Sequence, residues 1–290
     1  MVANAAQGAL AARGIGVHFE GLRALEGVDL SLSRGEILGL IGPNGAGKTT
    51  ALKALLGLTS YDGSLSVLGY DPFSQRHKLM QDVCFIADVA ILPRWMRVSE
   101  AIEFVAGVHP RFDRAKCERF LAATQIKRKS KVRELSKGMI AQLHLALVMA
   151  IDARLLILDE PTLGLDILYR RRFYEQLLND YFDETRTILV TTHQVEEIEH
   201  ILTDLLFIKD GKIVLADTME NVIERYSQVL VSSERSEEAR ALNPIAERKQ
   251  IGKTAYLYDG LPRAQAQALG EVHQVGVADL FIAVMGGGAT

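Results

Sequence analysis

The stretch Gly42-Pro43-Asn44-Gly45-Ala46-Gly47-Lys48-Thr49 fits the pattern G-x-x-x-x-G-K-[ST], which is typical of a phosphate-binding P-loop. The residues Glu36 to Ile41 before it read as a short buried strand. After it, Leu52, Leu55 and Leu56 recur at a helical spacing. A strand, a glycine-rich turn and a helix in this order predict a loop whose backbone N–H groups wrap phosphate oxygens.

Two side chains of this loop carry the predicted chemistry. Lys48 would reach the β- and γ-phosphates of a nucleotide, and the hydroxyl of Thr49 would ligate Mg²⁺. The first turn of the following helix adds N–H donors and a partial positive charge. The alternative is a glycine-rich turn that binds nothing, which the flanking strand and helix make less favourable.

The composition limits the classes of function. The chain has 290 residues, of which 48% are hydrophobic, enough for one large domain with a small appendage. Its formal net charge of −3 offers no overall basic field for nucleic acid. Cys84 and Cys117 form no pattern, so we expect inert thiols in a reducing compartment. No apolar run is long enough to cross a bilayer, and residues 1–12 are predicted to be a flexible tail.

Strand and helix patterns alternate along most of the chain. This order predicts a parallel sheet that helices cover on both faces, with antiparallel strands at the start and a helical stretch in the middle. An acidic helix is predicted after residue 193, and a small α/β appendage over 228–290 follows a main domain over 13–227. The predicted strands are 14–19, 24–32, 36–41, 64–68, 83–87, 155–158, 187–191, 205–208, 212–215 and 255–258; the predicted helices are 49–56, 99–105, 114–123, 138–151, 170–181 and 262–269.

Two carboxylates follow an apolar strand in Leu155-Leu156-Ile157-Leu158-Asp159-Glu160. The carboxyl ends of parallel strands are where ligand sites form, so both side chains are expected at the same edge as the P-loop. Asp159 would hold Mg²⁺, and Glu160 would orient and deprotonate an attacking water. The alternative is an exposed acidic turn after a core strand.

A serine and a glycine open the long apolar helix in Leu135-Ser136-Lys137-Gly138-Met139. The start of this helix can bind an anion, as can the start of the helix after the P-loop. One chain rarely needs two such helix starts for the phosphates of one nucleotide. We therefore expect a head-to-tail dimer, in which Ser136 and Gly138 face the γ-phosphate that the other copy holds. The alternative is a plain helix N-cap.

His193 comes directly after a predicted buried strand, on the side where the two carboxylates emerge. In this position the imidazole could contact the γ-phosphate. The alternative is a structural histidine, which is the commoner role of a lone histidine.

Together, in order and spacing, these motifs resemble those of the ATPase subunit of ABC transporters over about residues 14–226. The resemblance implies an α/β P-loop NTPase cassette with a RecA-like parallel sheet core, an antiparallel β subdomain and a helical subdomain over about 93–150. A small C-terminal α/β extension over 228–290 would follow. The resemblance implies that Phe19 is the aromatic that stacks on adenine and that Gly42 to Thr50 is Walker A. It implies that Leu135 to Met139 is the signature and that Asp159 and Glu160 are the Walker B pair. Gly164-Leu165-Asp166 would lie in the D-loop, and His193 would be the switch histidine.

Two motifs differ from the family pattern. Asp88 stands where the family has the Q-loop glutamine, and its shorter carboxylate could still ligate Mg²⁺. In the signature, Lys137 and Met139 replace glycine and glutamine, while Ser136 and Gly138 match. The sequence Leu-Ser-Lys-Gly-Met resembles a variant found in ATPases of ABC-2-type exporters.

The resemblance implies an ATPase that binds ATP and Mg²⁺ and powers a transporter through ATP-dependent dimerisation. The resemblance of its signature to that of ABC-2-type ATPases implies an exporter. Its partners would be a second ATPase subunit, identical or paired, and separate transmembrane permease subunits, with no nucleic acid. The protein would be cytoplasmic and peripheral on the inner face of the cell membrane. The alternatives are a soluble ABC ATPase that acts on nucleic acid or the ribosome, and a regulatory module with little turnover.

Three further features of the sequence lie outside these motifs. The resemblance places the loop with Trp95 near the transmembrane partner, so this tryptophan is predicted to face a partner rather than the core. The basic run over 127–133 is predicted to be a solvated face, with a contribution to the phosphate field across a dimer as the alternative. Arg170-Arg171-Arg172 is also predicted to be a solvated helix face.

Overall fold

The computed structural model describes residues 8–87, 92–163, 165 and 167–286. Asp88 and the D-loop residues Gly164 and Asp166 lie outside the described residues. The strands are β1 Gly8–Phe19, β2 Leu22–Ser33, β3 Ile37–Ile41, β4 Asp62–Val67, β5 Val83–Ile86, β6 Leu155–Asp159, β7 Thr187–Thr192, β8 Asp204–Lys209, β9 Lys212–Thr218, β10 Tyr226–Ser232, β11 Ala246–Gln250, β12 Lys253–Asp259 and β13 Glu271–Gln274. The α-helices are α1 Lys48–Leu55, α2 Arg76–Leu79, α3 Val98–Val108, α4 Arg114–Ala122, α5 Lys137–Met149, α6 Ile167–Gln176, α7 Met219–Arg225, α8 Ser236–Ala241, α9 Arg263–Leu269 and α10 Val277–Gly286.

A six-stranded sheet forms the centre of the main domain, in the order β5-β6-β7-β3-β8-β9. Its first five strands are parallel, and β9 pairs antiparallel with β8 at the edge. Every residue of β3, β6 and β7 is buried, as expected for strands that are covered on both faces. The sequence prediction of a parallel core sheet is therefore confirmed.

The P-loop connects β3 to α1 and passes close to the β8–β9 hairpin. A Cβ atom added at Gly42 would lie 2.5 Å from the carbonyl oxygen of Ile208. Gly47 has a φ of 108°, in the left-handed region that L residues avoid, and a Cβ atom there would lie 2.8 Å from the Ala24 carbonyl. Both positions therefore require glycine.

A three-stranded antiparallel sheet with the order β2-β1-β4 lies beside the core sheet. Its first strand begins at Gly8, and Ala9, Leu10 and Ala12 are buried in it. The prediction of a flexible tail over 1–12 is thus wrong for residues 8–12, which pair with β2 and β4. Alanine and glycine do not produce a clear strand pattern, so the sequence alone does not reveal this extension.

The helical subdomain contains α3, α4 and α5, which surround a cluster of their own. The buried members of this cluster are Val98, Ala101, Ile102, Cys117, Leu121, Ile126, Val132, Leu135, Leu143, Ala146, Leu147 and Ala150. The helix α5 begins at the signature, where Ser136 is its N-cap.

The segment after β7 differs from its prediction. An acidic helix was expected after His193, but the residues form two short 3₁₀ turns, Val195–Glu197 and Glu199–Ile201. Buried Val195, Ile198 and Ile201 pin these turns to the core, and their spacing does not continue long enough for an α-helix.

The C-terminal region forms a four-stranded antiparallel sheet with the order β11-β12-β10-β13, and α8, α9 and α10 pack near it. The boundary proposed between residues 227 and 228 falls inside β10, which begins at Tyr226. The last helix, α10, returns to the main domain. There Leu280 is buried in the main cluster, and the rings of Phe281 and Phe207 meet edge to face at 5.1 Å.

The docking of α10 can be tested on its buried side. We expect Leu280→Ala to lower the free energy of unfolding by about 2–5 kcal/mol, because Leu280 is 0% exposed and its removal leaves a cavity. Ile282→Ala is the matched control on the same helix, since Ile282 is 64% exposed and should change stability by about 0.5 kcal/mol or less. Urea denaturation followed by circular dichroism measures both. Equal effects of the two substitutions would contradict the docking.

Candidate nucleotide-binding site

The parallel sheet brings three motifs to one edge. The strands β3, β7 and β6 are neighbours, and their carboxyl ends deliver the P-loop, His193 and the Walker B carboxylates in turn. The P-loop and the two carboxylates line an open cleft of about 450 Å³, and His193 reaches it through its contact with Glu160. Sites in open α/β sheets form at this edge because the strand ends leave a crevice there.

The P-loop offers donors to an anion. Gly47 is the N-cap of α1 and makes no side-chain cap, so the first N–H groups of the helix have no side-chain acceptor. Lys48 is only 6% exposed, and its Nζ donates to the carbonyl oxygens of Gly42 at 2.6 Å and Pro43 at 3.3 Å. This ammonium group therefore lies inside the loop, where it can bind phosphate oxygens.

Two oxygen ligands suited to a divalent cation lie beside the P-loop. The hydroxyl of Thr49 donates to Asp159 Oδ2 at 3.1 Å, and buried Thr191 donates to Asp159 Oδ1 at 2.5 Å. A hydroxyl and a carboxylate side by side at a phosphate site are hard ligands of the kind Mg²⁺ takes together with substrate phosphates. The residues that are present thus fit the predicted cation.

Glu160 has a strained backbone and two polar neighbours, Lys48 and His193. Its φ is 47°, a region that non-glycine residues rarely adopt and that often marks functional sites. Glu160 Oε1 lies 3.4 Å from Lys48 Nζ, and Glu160 Oε2 lies 3.0 Å from His193 Nδ1. Among the described residues, buried Oε1 has no hydrogen-bond partner, so a water or phosphate oxygen could occupy that position.

The open end of the cleft carries the predicted aromatic. Phe19 is half exposed at the end of β1 and lines the cleft with Leu22 and Arg23. The turn of the β8–β9 hairpin, Asp210 and Gly211, closes the other side. An exposed ring at this position can stack on a nucleotide base.

Ser136 and Gly138 lie outside this cleft. Ser136 is exposed, and its Oγ accepts a hydrogen bond from the Met139 N–H at 3.2 Å as the N-cap of α5. Gly138 faces the ring of Tyr169 on α6. Within one chain, therefore, the signature residues and the P-loop are not brought together.

A polar network that the sequence did not predict connects the loop before α6 to the turn after β7. Arg170 donates to the carbonyl oxygen of Leu165 at 2.7 Å and also binds the side chains of Gln194 and Glu197. Arg170 is 19% exposed, so the prediction that it is solvated is wrong, whereas its neighbour Arg171 is 78% exposed as predicted. The two arginines look alike in the sequence, and only their positions around α6 decide which side chain is shielded from solvent.

Thr162 extends this network to the Walker B strand. Its hydroxyl donates to Glu197 Oε2 at 3.2 Å and lies 3.3 Å from the hydroxyl of Tyr174. Burial raises the pKa of Tyr174 well above its ordinary value, so the phenol stays protonated and available as a donor. Hydrogen bonds therefore connect the loop that follows β6 to the turn that follows β7.

The fold and this site define a P-loop nucleotide-binding cassette, and comparison with known proteins assigns it to a family. The family model described as "ABC transporter" matches residues 25–163. The Nod factor export ATP-binding protein I of Burkholderia thailandensis is 34% identical over 255 residues, which cover 81% of this chain and 80% of that protein. The chain therefore belongs to the ATP-binding proteins of ABC transporters, a family that binds and hydrolyses ATP and generally requires Mg²⁺.

Two further similarities agree with this assignment. The ABC transporter ATP-binding protein YtrB of Bacillus subtilis is 26% identical over 210 residues, 72% of each chain. A solved structure described as the ATP binding subunit of an ABC transporter superposes with a TM-score of 0.67 at 25% identity, covering 74% of this chain and 92% of that one. The fold is thus an ABC ATPase cassette, as the sequence predicted.

The network around Arg170 predicts a position-dependent loss of turnover. We expect Arg170→Gln to lower kcat for ATP by about 10-fold or more, because the loops that carry Leu165 and Gln194 lose their shared anchor. KM should change less, since Arg170 does not line the cleft. Arg171→Gln removes the same charge from the exposed face and serves as the control. Steady-state phosphate release measures both variants, and equal kcat values would contradict the prediction.

Proposed function

We propose that this chain is the ATP-hydrolysing subunit that powers a membrane exporter. The observation that supports this proposal most strongly is the position of Glu160, whose carboxylate contacts both Lys48 and His193 at the edge of the P-loop. A cassette that only binds nucleotide needs the lysine but not a strained carboxylate with a histidine partner.

Glu160 is assigned the role of general base. One carboxylate oxygen would accept the proton of a water molecule that attacks the γ-phosphorus, and Lys48 would stabilise the charge on the transferred phosphoryl oxygens. His193 holds the second carboxylate oxygen at 3.0 Å and fixes its direction. Mg²⁺, held by Thr49 and Asp159, would neutralise charge on the phosphates.

If Glu160 is the general base, its substitution should slow ATP hydrolysis without weakening ATP binding. We expect Glu160→Gln to lower the rate of ATP hydrolysis by roughly 10²-fold or more, because the amide cannot accept the proton. The affinity for ATP should be retained, since Lys48 and the P-loop N–H groups remain. Glu184→Gln, at an exposed position on the opposite edge of the sheet, is the control. Unchanged turnover in Glu160→Gln would exclude it as the base.

The proposed active unit is a head-to-tail dimer. The signature residue Ser136 is exposed and outside the cleft of its own chain, so it is available to the phosphate of a second copy. Next to the cleft, the D-loop side adds an apolar surface for such a contact: Leu163, Ile167 and Leu168 are all exposed. Exposed apolar side chains at one place are typical of an interaction surface.

Dimerisation can be tested with two matched N-cap substitutions. In the Glu160→Gln background, we expect ATP to produce a dimer, and Ser136→Ala to weaken it by about 10-fold or more through the lost bond to phosphate. Thr218→Ala is the control, because Thr218 caps α7 with the same kind of bond, from the Asn221 N–H at 3.1 Å. Light scattering at saturating Mg·ATP measures both. A monomer under these conditions would contradict the composite site.

Separate transmembrane permease subunits complete the proposal. Among the described residues, no helix is long and apolar enough to cross a membrane. The export direction is supported by the Leu-Ser-Lys-Gly-Met signature and by the name of the Burkholderia relative, a Nod factor export ATP-binding protein. The proposed location is the cytoplasmic face of the membrane. Co-purification of a multi-span protein from detergent-solubilised membranes supports this assignment, whereas exclusive recovery with ribosomes or nucleic acid would favour the soluble class.

A further inference from the structure

Two segments that lie about 30 residues apart in sequence form an antiparallel ribbon in the helical subdomain. Their backbone hydrogen bonds run from Val98 N to Ser130 O (3.0 Å), from Ser99 N to Arg128 O (3.0 Å), from Val132 N to Met96 O (2.9 Å) and from Arg133 N to Arg94 O (3.0 Å). Buried Val98 and Val132 anchor the ribbon to the subdomain core. We name residues 94–99 and 127–133 together the basic ribbon.

The basic ribbon concentrates positive charge. It contains seven basic residues and no acidic one: Arg94, Arg97, Lys127, Arg128, Lys129, Lys131 and Arg133. All of them except Lys131 are exposed. Arg128 pairs with Glu118, and Arg97 donates to the Lys129 carbonyl oxygen. Within the described part of the chain, the other five side chains make no ion pair.

The charge of this subdomain is opposite to that of the rest of the protein. Residues 92–150 contain 12 Lys and Arg but five Asp and Glu, a net charge of +7. The whole chain is −3, so all other residues together carry −10. Such a separation directs one face of the molecule toward an acidic partner.

An exposed indole lies within the basic ribbon. Trp95 is 67% exposed and is the only tryptophan of the chain, while the next residue, Met96, packs against the subdomain core. Tryptophan prefers the headgroup level of a membrane, where its ring is apolar and its N–H remains hydrated. Basic residues around it would meet anionic headgroups.

We propose that the basic ribbon binds the anionic phospholipid surface of a membrane directly, with Trp95 inserted among the headgroups. The contact does not require a permease, so it goes beyond the proposed function. A nucleic acid is disfavoured as the partner because the other residues, at −10, would repel a long polyanion. A membrane is planar and meets one face of the molecule only.

Because Trp95 is the only tryptophan, its fluorescence reports on this site alone. We expect vesicles of phosphatidylcholine mixed with phosphatidylglycerol to shift its emission to shorter wavelength and to co-sediment with the isolated chain. Phosphatidylcholine vesicles should do neither. Binding should weaken with added salt, since headgroup charges are screened.

A charge-matched pair of variants completes the test. Lys127→Gln/Lys129→Gln/Arg133→Gln should lower the vesicle partition coefficient on the order of 100-fold, from about 1 kcal/mol for each basic residue near an anionic surface. Lys53→Gln/Lys78→Gln/Lys249→Gln removes three exposed charges elsewhere and should change it little. Thermal melting verifies that both variants are folded. Equal losses in the two variants, no emission shift, or tighter binding of the ribbon to a single-stranded oligonucleotide than to vesicles would each overturn the proposal. Vesicle binding is measured without ATP turnover, so a chain that failed to hydrolyse ATP would contradict the proposed function but not the proposed membrane contact.

Discussion

The hydrogen bonds of Thr191 hold together the edge of the sheet where the candidate site lies. Its buried hydroxyl donates to Asp159 and accepts from the N–H of Glu160 at 3.2 Å, while its carbonyl oxygen accepts from the same N–H at 3.1 Å. One residue of β7 thus fixes both Walker B residues and stabilises the left-handed backbone at Glu160. His193 follows two residues later on the same strand end. The geometry of carboxylate, lysine and histidine therefore depends on the register between β6 and β7.

The sequence predicted the parts of the site that are contiguous in the chain. Walker A and the carboxylate pair each combine a buried strand with polar residues at its end, so the pattern itself carries the structure. Thr191 and Arg170 were missed because their roles arise only when separate segments meet. A threonine in an apolar strand reads as a β-former, and an arginine in a triplet reads as solvated. Neither pattern indicates a partner 30 residues away.

The same limit explains the errors in the fold. The core strands were predicted correctly because they are buried on both faces and mainly apolar. The start of β1 was missed because its small residues give no alternation. The acidic segment after His193 forms two short turns and not the predicted helix. Its charged residues suggest the solvated face of a helix, but its few buried residues do not continue far enough to form the buried face. The basic ribbon likewise combines two segments that are distant in sequence, and neither segment alone indicates that the two pair with each other.

The turn after His193 is held from two sides, and this restricts how the switch can move. Arg170 binds Gln194 and Glu197 and connects them to the D-loop side. On the opposite side, Val195 and Ile198 share a buried cluster with Leu280 of the C-terminal helix. Close-packed clusters shift between discrete arrangements rather than deforming gradually. A displacement of the imidazole on contact with phosphate would therefore have to move either the loop that Arg170 anchors or the docked helix, because both contact the turn that follows His193.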